Sequence, residues 1–279
     1  MIYKMVCIDM DGTMLGKRKS ISEENKMAVK EVSKRGIKVV VTTGRLYNNA
    51  AYYSNLIGAS DFVIAGNGAV IKEKYKDKPI FKSELDIDII KKLLIAAKKC
   101  KVVLHLHTID EVITNSVLSS LIAKIVLPDI RNRDFPVNIK VLKDLKNIDD
   151  SIKAYKGKVT KCIMFSPLKE RTELFRREID KIQGITYYCS GGRSIEINKI
   201  GVSKGNAVKM LAKYYGIRRE EIICIGDNEN DISMIEYAGL GIAMGNGILE
   251  LKEKANYITD TNINDGVRKA LEKFILNKR

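Results

Sequence analysis

The chain has 279 residues, 45% apolar and 30% charged, with 20 Gly and only 4 Pro. This composition excludes a disordered or collagen-like chain, and no run of about 18 apolar residues offers a transmembrane helix. The formal charge of +15 comes from 49 basic and 34 acidic residues. An anionic partner is one reading of that surplus. Diffuse surface lysine is the plainer one, because the lysines fall in twos on helical patterns such as Ile89 to Lys99, with few aromatics between them. Nucleic acid is therefore not the expected partner, and a small anion is a secondary contribution to the charge. The five cysteines, Cys7, Cys100, Cys162, Cys189 and Cys224, form no C-x-x-C pair and read as reduced thiols. The N-terminus turns acidic within ten residues and carries no signal-peptide pattern, so a cytoplasmic, membrane-free chain is expected. At roughly 150 residues per domain the length fits one large domain or two moderate ones.

In chain order, Tyr3 to Ile8 reads as a buried strand. Ser22 opens a helix to about Arg35, with Met27, Ala28, Val29 and Val32 on its apolar face and Gly36 as its stop. Val39 to Val41 and Asp61 to Ala65 are further strands, the second leading into the turn Gly66-Asn67-Gly68. The middle of the chain changes character. Val102 to His107 and Glu111 to Asn115 suit a hairpin around Ile109-Asp110. Val159 to Phe165, a helix from Leu168 to Ile182, and Thr186 to Cys189 follow, an α+β pattern with antiparallel pairs. Gly191-Gly192 is a plausible hinge at its exit. Ser203 then caps a helix reaching Tyr215 with Gly216 as its stop, and Ile222 to Ile225, Leu240 to Met244 and Asn256 to Ile258 read as strands. Alternating helices and continuously apolar strands mark a parallel sheet covered on both faces.

Four segments carry chemistry, and three of them follow predicted strands, where open parallel sheets place their sites. In Asp9-Met10-Asp11-Gly12-Thr13, two carboxylates leave the end of an apolar strand. They repel unless a cation sits near them, and the loop offers hard oxygens suited to Mg²⁺. An ordinary turn is the alternative. Thr42-Thr43-Gly44-Arg45 opens the next helix as an anion cradle or a simple cap. Lys204, in a Gly-flanked turn at a helix start, is a surface lysine or a phosphate ligand. Gly226-Asp227-Asn228-Glu229-Asn230-Asp231 gathers three acidic residues at a strand end, which favours metal binding at Asp227 over a merely acidic helix start.

Together the four segments resemble the haloacid dehalogenase superfamily of phosphatases, in its Cof-type (IIB) branch. The resemblance covers almost the whole chain and includes Asn67-Gly68-Ala69, Ala243-Met244-Gly245-Asn246, Ala255 to Thr259 and Asp265-Gly266-Val267. It implies an α/β fold: a Rossmann-like parallel-sheet core over 1–83 and 191–279, with an inserted α/β cap over 84–190. It implies Mg²⁺-dependent hydrolysis of small phosphate monoesters, sugar phosphates by default, through an aspartyl-phosphate. Asp9 would be nucleophile and metal ligand. Asp11 would be the general acid/base, with its backbone carbonyl on the metal, and Asp227 would complete the ligand set. Met10 (through its backbone), Thr43, Gly44, Lys204 and Asn230 would hold the phosphate, with Thr13 and Asp231 in support. Arg45, Asn67, His105 and His107 are further candidates for substrate contact. The two histidines alternate on one strand and share a face; a half-exposed strand face is the plainer reading of them. Departures from the family pattern are small: Met10, Thr42, Met14 and Gly247 replace commoner residues, and Gly247 is expected to loosen its loop. The expected partner is a small phosphorylated metabolite, with the chain a monomer or weak dimer. Phosphoryl transfer to another acceptor, as in mutases, and a basic nucleic-acid-binding module stay open as alternatives.

Overall fold

The computed structural model describes residues 3–126, 134–142, 147–190 and 192–277. The chain divides into two compact units, Met1–Phe81 with Ser203–Arg279, and Lys82–Val202. In the first unit the chain runs β1 (Met5–Ile8), α1 (Glu23–Lys34), β2 (Lys38–Thr42), α2 (Tyr47–Leu56), β3 (Phe62–Ala65), β4 (Val70–Glu73) and β5 (Phe81–Lys82). The second unit holds α3 (Ile87–Cys100), β6 (Val103–His107), β7 (Glu111–Thr114), α4 (Val117–Val126), β8 (Asn138–Val141), α5 (Ile148–Lys153), β9 (Lys161–Phe165), α6 (Lys169–Ile179), β10 (Ile185–Ser190) and β11 (Ser194–Lys199). The chain returns to the first unit with α7 (Lys204–Tyr215), β12 (Ile222–Gly226), α8 (Ile232–Tyr237), β13 (Leu240–Ala243), α9 (Leu249–Lys254), β14 (Tyr257–Ile258) and α10 (Gly266–Leu271).

The sheet of the first unit has the order β14-β13-β12-β1-β2-β3-β4-β5. From β14 to β3 neighbouring strands are parallel, and β4 turns back antiparallel to β3. Strand β1 is wholly buried on both faces, which is why its sequence shows no alternation. Met5 and Cys7 join Ala207, Leu211 and Met234 of α7 and α8 in one core cluster. The topology runs outward from β1 in one direction and from β12 in the other, so the crevice between these two strands is the switch point of the sheet. Local chemistry sets the helix ends. Ser22 accepts from Asn25 N and Ser203 from Asn206 N, each an N-cap bond worth about 1 kcal/mol. Of the apolar positions expected on α1, Ala28, Val29 and Val32 are buried, whereas Met27 is 60% exposed; it points off the stripe.

The second unit is a six-stranded sheet of order β10-β11-β9-β6-β7-β8, antiparallel throughout except for β7 with β8. Leu104, Leu106, Cys162 and Met164 face a core shared with α3 and α6. Strand β11 pairs with both β10 and β9, so Ser194–Lys199 belongs to this sheet and the chain re-enters the first unit at Ser203 instead of near residue 191. Gly192, expected as a hinge, sits in the connection of the β10–β11 hairpin with φ +66°; Gly191 lies outside the described residues. His105 and His107 do share a face, but it is not half-exposed. Both are 9% exposed, their ring centroids are 6.3 Å apart, and His105 Nε2 lies 2.7 Å from Ser119 Oγ on α4, which covers it. Burial pushes His105 down to about 4, and burial with the charge of Lys161 pushes His107 well below the usual imidazole range. Among the described residues no helix is long and apolar enough to cross a membrane.

Candidate active site

Three loops leave the carboxyl ends of adjacent parallel strands: β1 delivers Asp9 to Thr13, β2 delivers Thr43 to Arg45, and β12 delivers Asp227 to Asp231. Asp9 continues the ladder, its N–H donating to Ile225 O at 3.0 Å, so the sheet holds its backbone. Past it the chain tightens: Leu15 N donates to Met10 O at 2.8 Å, and Met14 N to Asp9 O at 3.2 Å. The Met10 side chain is fully buried. Gly12 has φ +83°, and a Cβ there would stand 2.2 Å from Asp227 Oδ2. Glycine is thus required both by the backbone and by the close approach of the Asp227 carboxylate.

Lys204 is the first residue of α7 and is 1% exposed. Its ammonium donates to Asp9 Oδ1 and to Asp231 Oδ1, both at 2.6 Å. Asp231 Oδ2 accepts from the backbone N–H groups of Asp227 (2.9 Å) and Asn228 (3.0 Å). Both Asp231 oxygens are therefore engaged in holding Lys204 and the β12 loop. Asp227 accepts from the Thr13 hydroxyl at 2.7 Å, a bond that joins the first loop to the third. Oxygens of Asp9, Asp227 and Asp231 lie within 4.8 Å of one another. Three carboxylates share one ammonium, and the proton affinities reflect the surplus. Burial, then the charge of Asp231, raises Asp9 well above the usual carboxylate range despite Lys204. The same two causes bring Asp227 up to about 6. Burial would lower Lys204, but the charges of Asp231 and Asp9 outweigh it and raise the ammonium. A site with excess buried negative charge and hard oxygen donors fits a divalent cation.

Asp11 does not join this group. Its carboxylate is clasped by Arg45, Nε to Oδ2 and Nη2 to Oδ1, both at 2.6 Å. Burial would raise Asp11, but the Arg45 hydrogen bonds and charge, with Lys19 and Lys204, leave it lowered. Thr43 departs from the expected helix-start cradle: α2 begins only at Tyr47, with Leu46 as its N-cap, and the Thr43 hydroxyl accepts from Arg45 N at 3.2 Å. It orders a turn ahead of the helix, next to Gly44. Asn67, buried with φ +60°, donates its N–H to Thr43 O and accepts from Asn230 Nδ2, both at 3.0 Å, so the second and third loops meet there. His105 and His107 belong to the second unit.

Sequence reasoning missed several supports. Asn246 Nδ2 donates to Gly12 O at 2.8 Å, and Asn262 Nδ2 to Leu15 O at 2.7 Å. Gly247 does not loosen its loop. Its N–H donates to Met244 O and the next N–H to Asp227 O, both at 2.9 Å, and a Cβ would stand 2.9 Å from Met244 O. Asn49 and Tyr53 hold Arg45; their spacing of four residues on a helix was the available signal.

Residues 6–271 match the family model for haloacid dehalogenase-like hydrolases. A 5-amino-6-(5-phospho-D-ribitylamino)uracil phosphatase of Bacillus subtilis, YcsE, is 30% identical over 276 residues, which cover 98% of this chain and 96% of that protein. A crystal structure of a haloacid dehalogenase-like hydrolase from Bacteroides thetaiotaomicron matches with a TM-score of 0.84 at 26% identity, over 98% of this chain and all of the other. The subclass IIB sugar phosphatase BT4131 shares the fold at a TM-score of 0.78 and 21% identity, over 97% of this chain and 98% of that one. The loops of β1, β2 and β12 thus stand in a chain that belongs to the haloacid dehalogenase-like hydrolases, in their Cof-type branch, and is a phosphoric monoester hydrolase.

Proposed function

We propose that the chain hydrolyses small phosphate monoesters of sugars or polyols, with Mg²⁺ as cofactor, through an aspartyl-phosphate on Asp9. The observation that carries this reading is the buried Asp9 carboxylate at the carboxyl end of the central strand, 2.6 Å from Lys204 and beside Asp227. Asp9, Asp227 and the Asp11 backbone carbonyl would hold the cation. When bound, it would supply positive charge against the phosphoryl oxygens. Lys204 and the backbone N–H groups after Asp9 bind and orient the phosphoryl group, with Thr43, Gly44 and Asn230 alongside.

The Asp9 carboxylate attacks phosphorus in line. The bond from phosphorus to the ester oxygen breaks, and that oxygen takes its proton from Asp11, which must carry one in the substrate complex although the Arg45 pair lowers it in the free protein. Asp11, now ionised, accepts a proton from water, whose oxygen attacks phosphorus and releases phosphate and the Asp9 carboxylate. Positioned proton transfer of this kind is worth ~10²–10⁴-fold. The substrate class draws support from the ribityl phosphate named for the Bacillus subtilis relative, a primary phosphate ester of a polyol.

The test is phosphate release from p-nitrophenyl phosphate and a panel of sugar and polyol phosphates, with and without Mg²⁺, by wild type and Asp9→Asn. Mg²⁺-dependent release that vanishes in the variant is expected. Release that survives Asp9→Asn overturns the mechanism. Consumption of ester without matching free phosphate would mean transfer to another acceptor.

A further inference from the structure

Arg45 is held from three directions. Nε and Nη2 grip the two Asp11 oxygens at 2.6 Å, Nη1 donates to Asn49 Oδ1 at 2.8 Å, and the guanidinium lies 4.7 Å from the centre of the Tyr53 ring. The two members of the ion pair are unlike. The Arg45 side chain is 11% exposed, whereas that of Asp11 is 56% exposed. The guanidinium is buried and fixed by two residues one helical turn apart on α2; the carboxylate stands on a turn and faces solvent. A guanidinium fork donates to a carboxylate bidentately in one plane, so the pair sets the direction of the Asp11 side chain and favours its charged form. An ordinary surface pair would leave both partners exposed and would contribute little. Here the buried half is anchored independently of the half it grips.

We infer that Arg45 is a positioning residue for Asp11: a mount, itself fixed by Asn49 and Tyr53, that aims the acid/base carboxylate. This rests on the proposed role of Asp11 as proton donor to the leaving oxygen. It differs from a substrate contact in what its loss does. A phosphate contact serves every ester alike. A mount for the acid serves only esters whose leaving oxygen needs a proton.

The experiment compares kcat/KM for p-nitrophenyl phosphate, whose leaving group departs as a stable phenolate, with kcat/KM for the alkyl phosphate that the wild type hydrolyses fastest. This ratio reports steps through departure of the leaving group, so the later hydrolysis common to both substrates does not enter. Arg45→Lys keeps the charge and the stem but cannot form the fork. It and Arg45→Gln are expected to lose ~10²-fold on the alkyl ester, within the range for positioned proton transfer, and only a few-fold on the aryl ester. Asn49→Ala, which leaves Arg45 in place but removes one anchor, shows the same bias at smaller size, and serves if Arg45→Gln does not fold. Asp11→Asn shows the full bias, and adding Arg45→Gln to it costs nothing further on the alkyl ester. Equal losses on the two esters in the Arg45 variants, or an alkyl rate that rises, would overturn the inference. Absence of the bias in Asp11→Asn itself would instead overturn the acid/base role on which it rests.

Discussion

Replacing Lys204 by Met removes the one ammonium that the three clustered carboxylates share, while the methionine fills most of the space of the stem. The side chain is 1% exposed, and so cannot be replaced by solvent without rearrangement. Its bonds to Asp9 and Asp231, both 2.6 Å, leave two carboxylates unpaired, with side chains 6% and 0% exposed. Breaking a buried ion pair from one side costs about 3–5 kcal/mol. At roughly 2–4 °C per kcal/mol for a unit of this size, the melting temperature at pH 7.5 without metal should fall by roughly 6–20 °C. The deficit should shrink at pH 5, because Asp9, raised already with the lysine present, rises further without it and takes up a proton. Saturating Mg²⁺ should also reduce it. The assay is thermal unfolding followed by circular dichroism for both proteins at both pH values, with EDTA and with Mg²⁺. A Lys204→Met protein that melts with wild type at pH 7.5, or a deficit that does not depend on pH, would refute the claim that the ammonium neutralises this cluster.

Three further outcomes follow from the geometry. Asp227 has a folded value of about 6 against an ordinary 3.8, and Asp9 is raised too, so the Asp227 contribution to metal-free stability is fully present below about pH 4, is lost as pH rises to about 6 and levels off above that. Mg²⁺ should flatten or reverse that slope, and a slope that is the same with and without Mg²⁺ would refute metal binding at these carboxylates. Gly12→Ala must hold φ +83° at about 1–2 kcal/mol and push Asp227 away, so calorimetry should show weaker Mg²⁺ binding to a folded protein; unchanged affinity would contradict the close approach. The chain has only two histidines, and burial keeps both neutral, so their imidazole NMR signals should not titrate between pH 5.5 and 8 (roughly an ordinary imidazole's range); a midpoint near 6.5 would show an open face.

The elements that sequence reading located are those whose signals are local. Ser22 and Ser203 accept hydrogen bonds three residues ahead, and Gly216 ends α7 in the left-handed conformation. The apolar run of β1 needs no distant residue to be recognised. Strand β11 was legible but unread: Ser194 to Lys199 alternates, with Ile195 and Ile197 fully buried in the core of the second sheet. Helix α2 was harder, since its Tyr- and Asn-rich sequence buries polar Asn49 and Ser54 among its apolar positions and shows no clean stripe. For the histidines, alternation gave a shared face, but distant neighbours such as Ser119, in the next helix, and Phe165, whose ring centre is 5.1 Å from that of His105, decide that it is covered. The Arg45–Asp11 fork spans 34 residues and the Thr13–Asp227 bond 214; no local pattern predicts such partners.

Lys204 shows why the site residues nevertheless stood out. A cation at the first position of a helix opposes the helix dipole, and a lysine 1% exposed opposes the hydrophobic effect. Three carboxylates at neighbouring strand ends oppose one another. Each of these arrangements is unfavourable alone, and each offsets another: Asp9 and Asp231 hold the ammonium where dipole and burial would expel it, and the ammonium holds two of the carboxylates. What remains uncompensated is the negative surplus centred on Asp9 and Asp227. A fold gains nothing structural from keeping that surplus buried, whereas apolar residues of similar volume would pack as well or better. The residual charge is therefore the part of the arrangement that the proposed cation near Asp227 would complete, with the proposed phosphoryl group toward Lys204. A local rule broken at several adjacent positions, and repaired everywhere except at one point, locates a functional centre more sharply than any single motif.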